Sequence, residues 1–238
     1  MINLKERSLQ KELLDADDIP FADLRQNLKE LNIVNKKLGG HNISISAVRK
    51  IIEDNKLKNV SICEIGCGGG DNLSAISKWC NKNNIRASFI GIDIKKECID
   101  FARQQYPDMP VTWMINDFRA VKFIGTPSIV FSSLFCHHFN DDEIIFMLHW
   151  MAANSGAGFF INDLHRHPLA FHFIKKMTAL FSKSYLVRND APLSVARGFT
   201  KKEWRFLLDK AGISNYSIQW RWAFRYLIIS DKYGSKDV

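Results

Sequence analysis

The sequence predicts an α/β protein built on one doubly wound, mostly parallel sheet. From residue 60 onward, short apolar segments alternate with segments of helical periodicity, the pattern of parallel strands joined by crossover helices. A glycine-rich turn over residues 66–70 follows the first strand and opens a helix. Asp93 ends the second strand about two dozen residues later, as an acidic residue does in dinucleotide folds. Together these observations indicate a Rossmann-like sheet.

Seven segments of the sequence are predicted to be strands. They span residues 60–62, 87–94, 111–115, 127–133, 158–163, 214–220 and 222–229. We expect the last two to pair antiparallel and to close the sheet. In this pair Trp220, Trp222, Phe224 and Tyr226 alternate with Arg221 and Arg225. The alternation predicts an aromatic face toward the core and a charged face toward solvent.

Two helical additions to this sheet are predicted. Residues 1–56 are expected to form an N-terminal helical cap over the ligand cleft, since apolar residues recur every three or four positions from Phe21 to Leu38. Gly39 and Gly40 are expected to end that helix, and a second helix is predicted over 44–55. Residues 166–199 are expected to be a lid insertion, with an apolar helix over 169–182 and a loop over 188–199. Residues 1–238 are expected to form a single domain.

The composition restricts the classes of protein to consider. The 238 residues are 46% hydrophobic, enough for a sizeable core, and no apolar run is long enough to span a membrane. The N-terminus has no apolar signal segment, so a cytoplasmic protein is predicted. The five cysteines show no zinc-site spacing, and no metal site is predicted. The net charge of +8 is spread along the chain, which favours solvated lysines over a nucleic-acid surface.

The glycine-rich turn is open to two interpretations. Its spacing does not exclude the G-x-G-x-x-G turn of nicotinamide or flavin enzymes. Glu64 shifts the balance, because a carboxylate at the strand tip is poorly suited to a pyrophosphate and well suited to a cationic amino group. The predicted cofactor site draws on four strand tips and comprises Glu64, Gly66, Cys67, Gly68, Gly70, Asp93, Ile94, Asn116, Asp117, Phe118, Ser133 and Leu134. Asp93 is expected to bind ribose hydroxyls, and Asp117 with Phe118 to form an adenine pocket.

Histidines follow the fourth and fifth predicted strands, at the carboxyl ends where open parallel sheets bind ligands. Histidine titrates in the range that suits a general base, so His138 and His165 are the predicted catalytic bases. Their neighbours His137 and His167 remain alternatives, because consecutive side chains diverge and at most one of each pair is expected to face the site. Asp163 is expected to orient an imidazole or to bind substrate.

The order of these motifs resembles that of the class I S-adenosylmethionine (SAM) methyltransferases. The motifs are Glu64-x-Gly66-x-Gly68-x-Gly70, Gly91-Ile-Asp93, Asn116-Asp117-Phe118 and the histidine pair after the fourth strand. Over nearly the whole chain the sequence is also similar to small bacterial methyltransferases associated with type III polyketide synthases, through residues 68–71, 133–138, 162–166 and 190–199. It departs from their pattern at Asn189 and Ala191, where histidine and glycine are expected.

The resemblance implies SAM as cofactor and methylation of a small-molecule acceptor. The acceptor group it implies is the hydroxyl of a phenolic, polyketide or quinone-like compound of secondary metabolism. Two alternatives remain open: the positive charge allows an RNA or protein methyltransferase, and the fold allows a SAM-binding protein that does not methylate. The sequence does not choose the acceptor, O- versus C-methylation, or the oligomeric state.

Overall fold

The computed structural model describes residues 3–16 and 18–232. Within them, a seven-stranded sheet forms the centre of the fold. Its strands are β1 (Asn59–Ile65), β2 (Arg86–Asp93), β3 (Val111–Ile115), β4 (Ile129–Ser133), β5 (Gly158–Leu164), β6 (Ser217–Arg221) and β7 (Arg225–Asp231). The order is β3-β2-β1-β4-β5-β7-β6; β1 to β5 run parallel, and β7 is antiparallel to both neighbours. The order reverses between β1 and β4, the switch point at which such sheets bind ligands.

Helices cover both faces of the sheet. They are α1 (Phe21–Lys37), α2 (Gly40–Asp54), α3 (Asp71–Lys82), α4 (Lys96–Gln105), α5 (Asp141–Asn154), α6 (Pro168–Phe181), α7 (Tyr185–Arg197) and α8 (Lys201–Lys210). Successive strand residues point to opposite faces, so Ile62 packs with α2 and α3 whereas Cys63 packs with α5 and α8. The central strands β1, β4 and β5 are buried on both faces over most of their length, so they appear in the sequence as nearly continuous apolar runs.

The turn between α1 and α2 is tighter than predicted. Gly39 adopts φ +76°, a left-handed conformation that glycine enters without steric cost, and its carbonyl accepts the first hydrogen bond of the next helix. As a result α2 begins at Gly40, earlier than the residue 44 expected from the sequence.

A helix replaces the loop predicted over residues 188–199. α7 continues through Asp190 and Pro192, although both residue types are poor in helix interiors. Its apolar side chains are buried, among them Leu186, Val187, Leu193, Val195 and Ala196. Burial of an aliphatic side chain stabilises by about 1.5–3 kcal/mol, so several together offset the cost of one proline. The loop prediction was wrong because it relied on local propensity where tertiary packing decides.

The predicted division of the last two strands into an aromatic face and a charged face was also wrong. Arg225 is only 2% exposed, whereas Trp220 and Trp222 are 51% and 70% exposed. Ala223 and Phe224 have positive φ angles and form the turn between β6 and β7. The alternation read from residues 220–226 therefore spans a turn between two strands, and side chains alternate between two faces only within one strand.

None of the described helices combines the length and apolarity needed to cross a membrane.

Candidate active site

A cavity of about 710 Å³ lies at the carboxyl ends of β1 to β4. It is lined by nearly all of the predicted cofactor residues: Glu64, Gly66, Cys67, Gly68, Asp93, Ile94, Asn116, Asp117, Phe118, Ser133 and Leu134. Gly70 is the exception. It precedes α3 with φ +76°, and a Cβ there would lie 2.5 Å from the Trp113 ring. The structure thus assigns Gly70 a packing role and brings the other eleven residues together around the first cavity.

The Asp93 carboxylate accepts hydrogen bonds from two backbone N–H groups, one in the glycine turn and one at Lys95. The Gly68 N–H donates to Asp93 Oδ2 at 2.8 Å, and the Lys95 N–H donates to Asp93 Oδ1 at 2.9 Å. Gly66 has φ +64°, and a Cβ there would lie 2.2 Å from the Phe135 ring. Burial raises the pKa of Asp93, while the two N–H groups oppose that shift. Each Asp93 oxygen retains a lone pair that can accept a ligand hydroxyl.

Glu64 lies at the base of the first cavity as an uncompensated buried carboxyl group. It is 1% exposed, and its Oε2 has no hydrogen-bond partner among the described residues. Burial, together with the negative charges of Asp71 and Asp93, raises its pKa well above the ordinary value. A buried carboxyl of this kind is favourable only when protonated or paired with a cation. The site therefore fits a ligand with a positively charged amino group, as the SAM cofactor implied by the sequence has.

The third strand tip carries the predicted adenine contacts. Asp117 accepts a hydrogen bond from the Arg119 N–H at 2.9 Å and pairs with the Arg119 guanidinium, which lowers the Asp117 pKa. Asp117 therefore caps a turn and also lines the cavity. Phe118 is buried and Ile94 is 67% exposed, and both contribute apolar surface to the same wall.

A second cavity, of about 570 Å³, adjoins the first. Its walls come mainly from α1, α6, α7 and the turn before β7, with apolar side chains such as Leu38, Phe173 and Ile174. The two cavities share Leu14, Leu31, Leu134 and His138. Leu134 adopts φ +53°, a strained conformation for a leucine, directly at this junction.

The polar groups of the second cavity are few. They are Glu12, Asn27, His137, His138, Asp190, Ser194 and Arg225. The Nη2 group of Arg225 donates to Asn35 at 2.9 Å, whereas its Nε and Nη1 atoms have no partner among the described residues. Burial lowers the pKa of Arg225 to about 10.

Asp163 holds His137 rather than His138. Its Oδ1 lies 2.8 Å from His137 Nδ1, and its Oδ2 accepts from the Phe135 and Cys136 N–H groups. Burial opposes ionisation of Asp163, but His137 and these donors outweigh it and lower the Asp163 pKa. His138, the predicted base, lines both cavities, and its Nδ1 lies 2.9 Å from Asp15 Oδ1.

His165, the other predicted base, lines neither cavity. Its ring packs against Tyr226 at 4.8 Å and His167 at 5.3 Å between centroids. Its buried Nδ1 has no partner among the described residues, and burial lowers its pKa to about 4. The structure therefore separates His165 from the junction at which His138 lies.

Sequence reasoning missed Glu12. This residue is 5% exposed, lines the second cavity, and accepts a hydrogen bond from Ser194 Oγ at 2.7 Å. Burial raises the pKa of Glu12 to about 7. The N-terminal segment reaches the site by packing along α7: Ser8 N–H donates to Ala196, and Asp190 accepts from Leu13 and Leu14. Because these contacts are long-range, nothing in the local sequence signals them.

Comparison with known proteins identifies a methyltransferase domain in the part of the chain that forms most of the first cavity. Residues 62–154 match a family model described as a methyltransferase domain, a segment that contains the glycine turn, Asp93 and His138. A comparison with curated protein sequences found no match.

Solved methyltransferase structures share the fold. The plantazolicin methyltransferase in complex with SAH matches with a TM-score of 0.65 and 15% identity, over 89% of this chain and 95% of that chain. Magnesium protoporphyrin IX methyltransferase from Synechocystis, with bound SAH, matches with a TM-score of 0.56 and 18% identity, over 83% of this chain and 86% of that chain. Human N-acetylserotonin methyltransferase in complex with SAM matches with a TM-score of 0.63 and 15% identity, over 91% of this chain and 57% of that chain.

At sequence identities of 15–18%, the similarity to these structures shows the fold alone. The predicted fold class, the Rossmann-like sheet of class I methyltransferases, is confirmed. SAM, the cofactor predicted from the sequence, is also the compound with which the Synechocystis and human enzymes were crystallised. The match of residues 62–154 to a methyltransferase domain agrees with that prediction.

Proposed function

We propose that this protein is a SAM-dependent methyltransferase that acts on the hydroxyl group of a phenolic, polyketide-derived or quinone-like small molecule. The observation that carries the proposal is the pair of adjoining cavities, which meet at Leu134 and His138. The first is formed by the strand tips and contains the carboxylates of Glu64, Asp93 and Asp117, and the second is largely apolar. A methyl donor in the first cavity and an acceptor in the second would meet at that junction.

The first cavity provides the contacts for the cofactor. SAM supplies an electrophilic methyl group on a sulfonium centre. Glu64 would bind its amino group, Asp93 would accept from the ribose hydroxyls, and Ile94 and Phe118 would pack against the adenine. Positioning is the main requirement, because displacement at a methyl carbon depends on the alignment of the reacting atoms.

The second cavity selects the acceptor. Its apolar walls from α6 and α7 suit an aromatic or aliphatic skeleton, and they act as the lid of the site. His138 faces the acceptor oxygen at the junction, and Asp163 acts indirectly by holding the neighbouring His137. The unpaired nitrogens of Arg225 favour an acceptor that also carries an anionic oxygen, since a buried guanidinium gains most from a charged partner.

Neighbouring structures support a small acceptor. These structures include magnesium protoporphyrin IX methyltransferase, N-acetylserotonin methyltransferase and an O-methyltransferase in complex with apigenin. The similarity of residues 133–138 and 190–199 to methyltransferases associated with type III polyketide synthases favours a polyketide-derived phenol among these classes.

Binding and turnover measurements test the proposal. By calorimetry we expect SAM to bind at about micromolar Kd and NADH to bind little. Asp93→Ala should weaken SAM binding by about 10–100-fold, because a hydrogen bond to a charged group contributes about 1.5–3 kcal/mol. Asp108→Ala, at an exposed carboxylate, is the matched control.

Labelled SAM should then transfer methyl groups to members of a panel of alkylresorcinols, quinols and catechols. Binding of NADH with no binding of SAM would contradict the cofactor assignment. Methylation of RNA or protein with no turnover of any phenol would contradict the acceptor class, and SAM binding without any turnover would indicate a non-catalytic protein.

A further inference from the structure

Three side chains converge where the two cavities meet. Glu12 Oε1 lies 3.6 Å from His137 Nε2, and Glu12 Oε2 lies 3.9 Å from His138 Nε2. One atom from each of the three residues falls within 4.8 Å of the others. These separations exceed hydrogen-bond lengths. Two ligand atoms on one tetrahedral ion at about 2.0–2.2 Å would lie roughly 3.4 Å apart, so the spacing suits ligation of a shared ion.

The opposite edge of each imidazole is held by a carboxylate. His137 Nδ1 lies 2.8 Å from Asp163, and His138 Nδ1 lies 2.9 Å from Asp15. When Nδ1–H donates to the carboxylate, a neutral imidazole carries a lone pair on Nε2. Both lone pairs then face the Glu12 carboxylate, an arrangement that is repulsive unless a proton or a metal ion lies between them, and the separations of 3.6 and 3.9 Å leave room for the ion. Carboxylates that orient histidines from behind are the usual second layer of protein metal sites.

The electrostatic surroundings also favour a cation. Asp15 and Asp163 add negative charge directly behind the imidazoles, and Arg197, 4.0 Å from Glu12 Oε1, offsets only part of it. Glu12 and His137 are 5% and 4% exposed, so their interactions are weakly screened by solvent. Arg197 donates its Nε–H to the His137 carbonyl at 2.8 Å, which fixes the backbone of the histidine pair.

We propose that Glu12, His137 and His138 form a binding site for a divalent transition-metal ion, of the zinc class, that is open toward the second cavity. Two imidazoles and one carboxylate are a common set for such ions, and three protein ligands leave a position for an exogenous oxygen. The sequence predicted no metal site because Glu12 is distant from the histidines along the chain and joins them only through tertiary packing.

The catalytic role of the ion rests on the proposed function. A phenol has a pKa of about 10 and is mostly neutral at pH 7. When its oxygen binds the ion, the hydroxyl proton passes to solvent and the oxygen remains as a metal-bound phenolate, since a bound cation lowers the pKa of an oxygen ligand. His138 then serves as a ligand instead of a base, and the acceptor oxygen is held at the junction of the cavities.

Metal binding is tested first without SAM or acceptor. Tag-free protein, dialysed against a chelator, is titrated with Zn²⁺ by calorimetry and with Co²⁺ by visible absorption. We expect one ion per chain and loss of this binding in Glu12→Gln and His138→Gln. Asp15→Asn should weaken binding by about 10–100-fold, as for other residues that orient a metal ligand. Glu6→Gln and His149→Gln, at exposed positions, are matched controls and should bind normally.

Circular dichroism of each variant separates loss of the site from loss of the fold. If the folded wild-type protein binds neither ion, or if Glu12→Gln binds as tightly as wild type, the proposal is wrong and the cluster is a network of imidazole and carboxylate groups alone. Methyl transfer is then compared in metal-free and metal-loaded protein. Undiminished turnover in metal-free protein would refute the catalytic role, whereas metal binding without turnover of any phenol would count against the proposed function and leave the metal site standing.

Discussion

The Glu64 carboxyl group is buried beside Asp71 and Asp93, and its free oxygen has no partner among the described residues. The pKa of Glu64 is higher in the folded protein than in the unfolded chain. The folded state therefore loses stability as the pH rises from the unfolded-state pKa to the folded-state pKa. The amino group of bound SAM would reverse this effect by stabilising the carboxylate. Cofactor binding should therefore expel a proton from Glu64 at pH values below its raised pKa.

Calorimetry in two buffers of different ionisation enthalpy measures this proton release. We expect wild-type SAM binding to show a buffer-dependent enthalpy at pH values above the ordinary glutamate pKa and below the raised pKa of Glu64, with the effect fading as Glu64 ionises at higher pH. Glu64→Gln should remove the dependence and weaken SAM binding by about 10–100-fold. Glu6→Gln should behave as wild type, because Glu6 is exposed. Equal heats for wild type in both buffers would contradict the assignment of Glu64.

At the scale of elements, α7 contacts the N-terminal segment, the histidine pair and the second cavity. Asp190 accepts from the N–H groups of Leu13 and Leu14, each at 2.9 Å, and Ser194 donates to Glu12. α7 thereby fixes the N-terminal segment over the histidine pair. It also presents Ala191 to the second cavity.

Filling the second cavity from α7 should impair acceptor binding selectively. Ala191→Phe adds a ring to the cavity wall, and we expect kcat/KM for the acceptor to fall by at least about tenfold, a change of about 1.4 kcal/mol. SAM affinity should remain within about twofold of wild type, because Ala191 does not line the first cavity. Ala179→Phe, on the exposed side of α6, is the matched control. Equal losses in both variants would mean that the second cavity does not receive the acceptor.

At the scale of the whole molecule, stability depends on the two apolar layers that enclose the sheet. Trp204 of α8 is fully buried, and its ring lies 4.2 Å from that of Phe199 between centroids. Trp204→Ala should lower the free energy of unfolding by about 3–5 kcal/mol, since it leaves a large cavity. Phe206→Ala, two residues away and 52% exposed, should change it by no more than about 0.5 kcal/mol.

Urea denaturation followed by circular dichroism measures both variants. Because a ligand that binds only the folded state stabilises it, SAM at about 100 times its Kd should add about 2.7 kcal/mol to wild type. If Trp204→Ala and Phe206→Ala were equally stable, the layer between α8 and the sheet would not be the core that its burial indicates.

Much of the first cavity could be predicted from the sequence because its signals are local. The glycines, Glu64 and Asp93 lie at strand ends whose positions follow from hydrophobic periodicity and turn chemistry. Parallel strands bring these ends to one edge of the sheet, so a linear pattern was enough to group eleven of the predicted residues around one cavity. The strand pattern likewise determined the fold class.

Only the tertiary structure decided the second cavity and the junction between the two. Side-chain direction at the strand tips separates His138 from His165, and packing along α7 brings Glu12 to the histidines. The burial of Arg225 depends on where a turn interrupts strand alternation. Each of these results comes from contacts between residues far apart in the chain, and local propensity carries no information about such contacts. The sequence by itself therefore determined the sheet and most of the first cavity, whereas long-range packing determined the second cavity and the groups at the junction between the two.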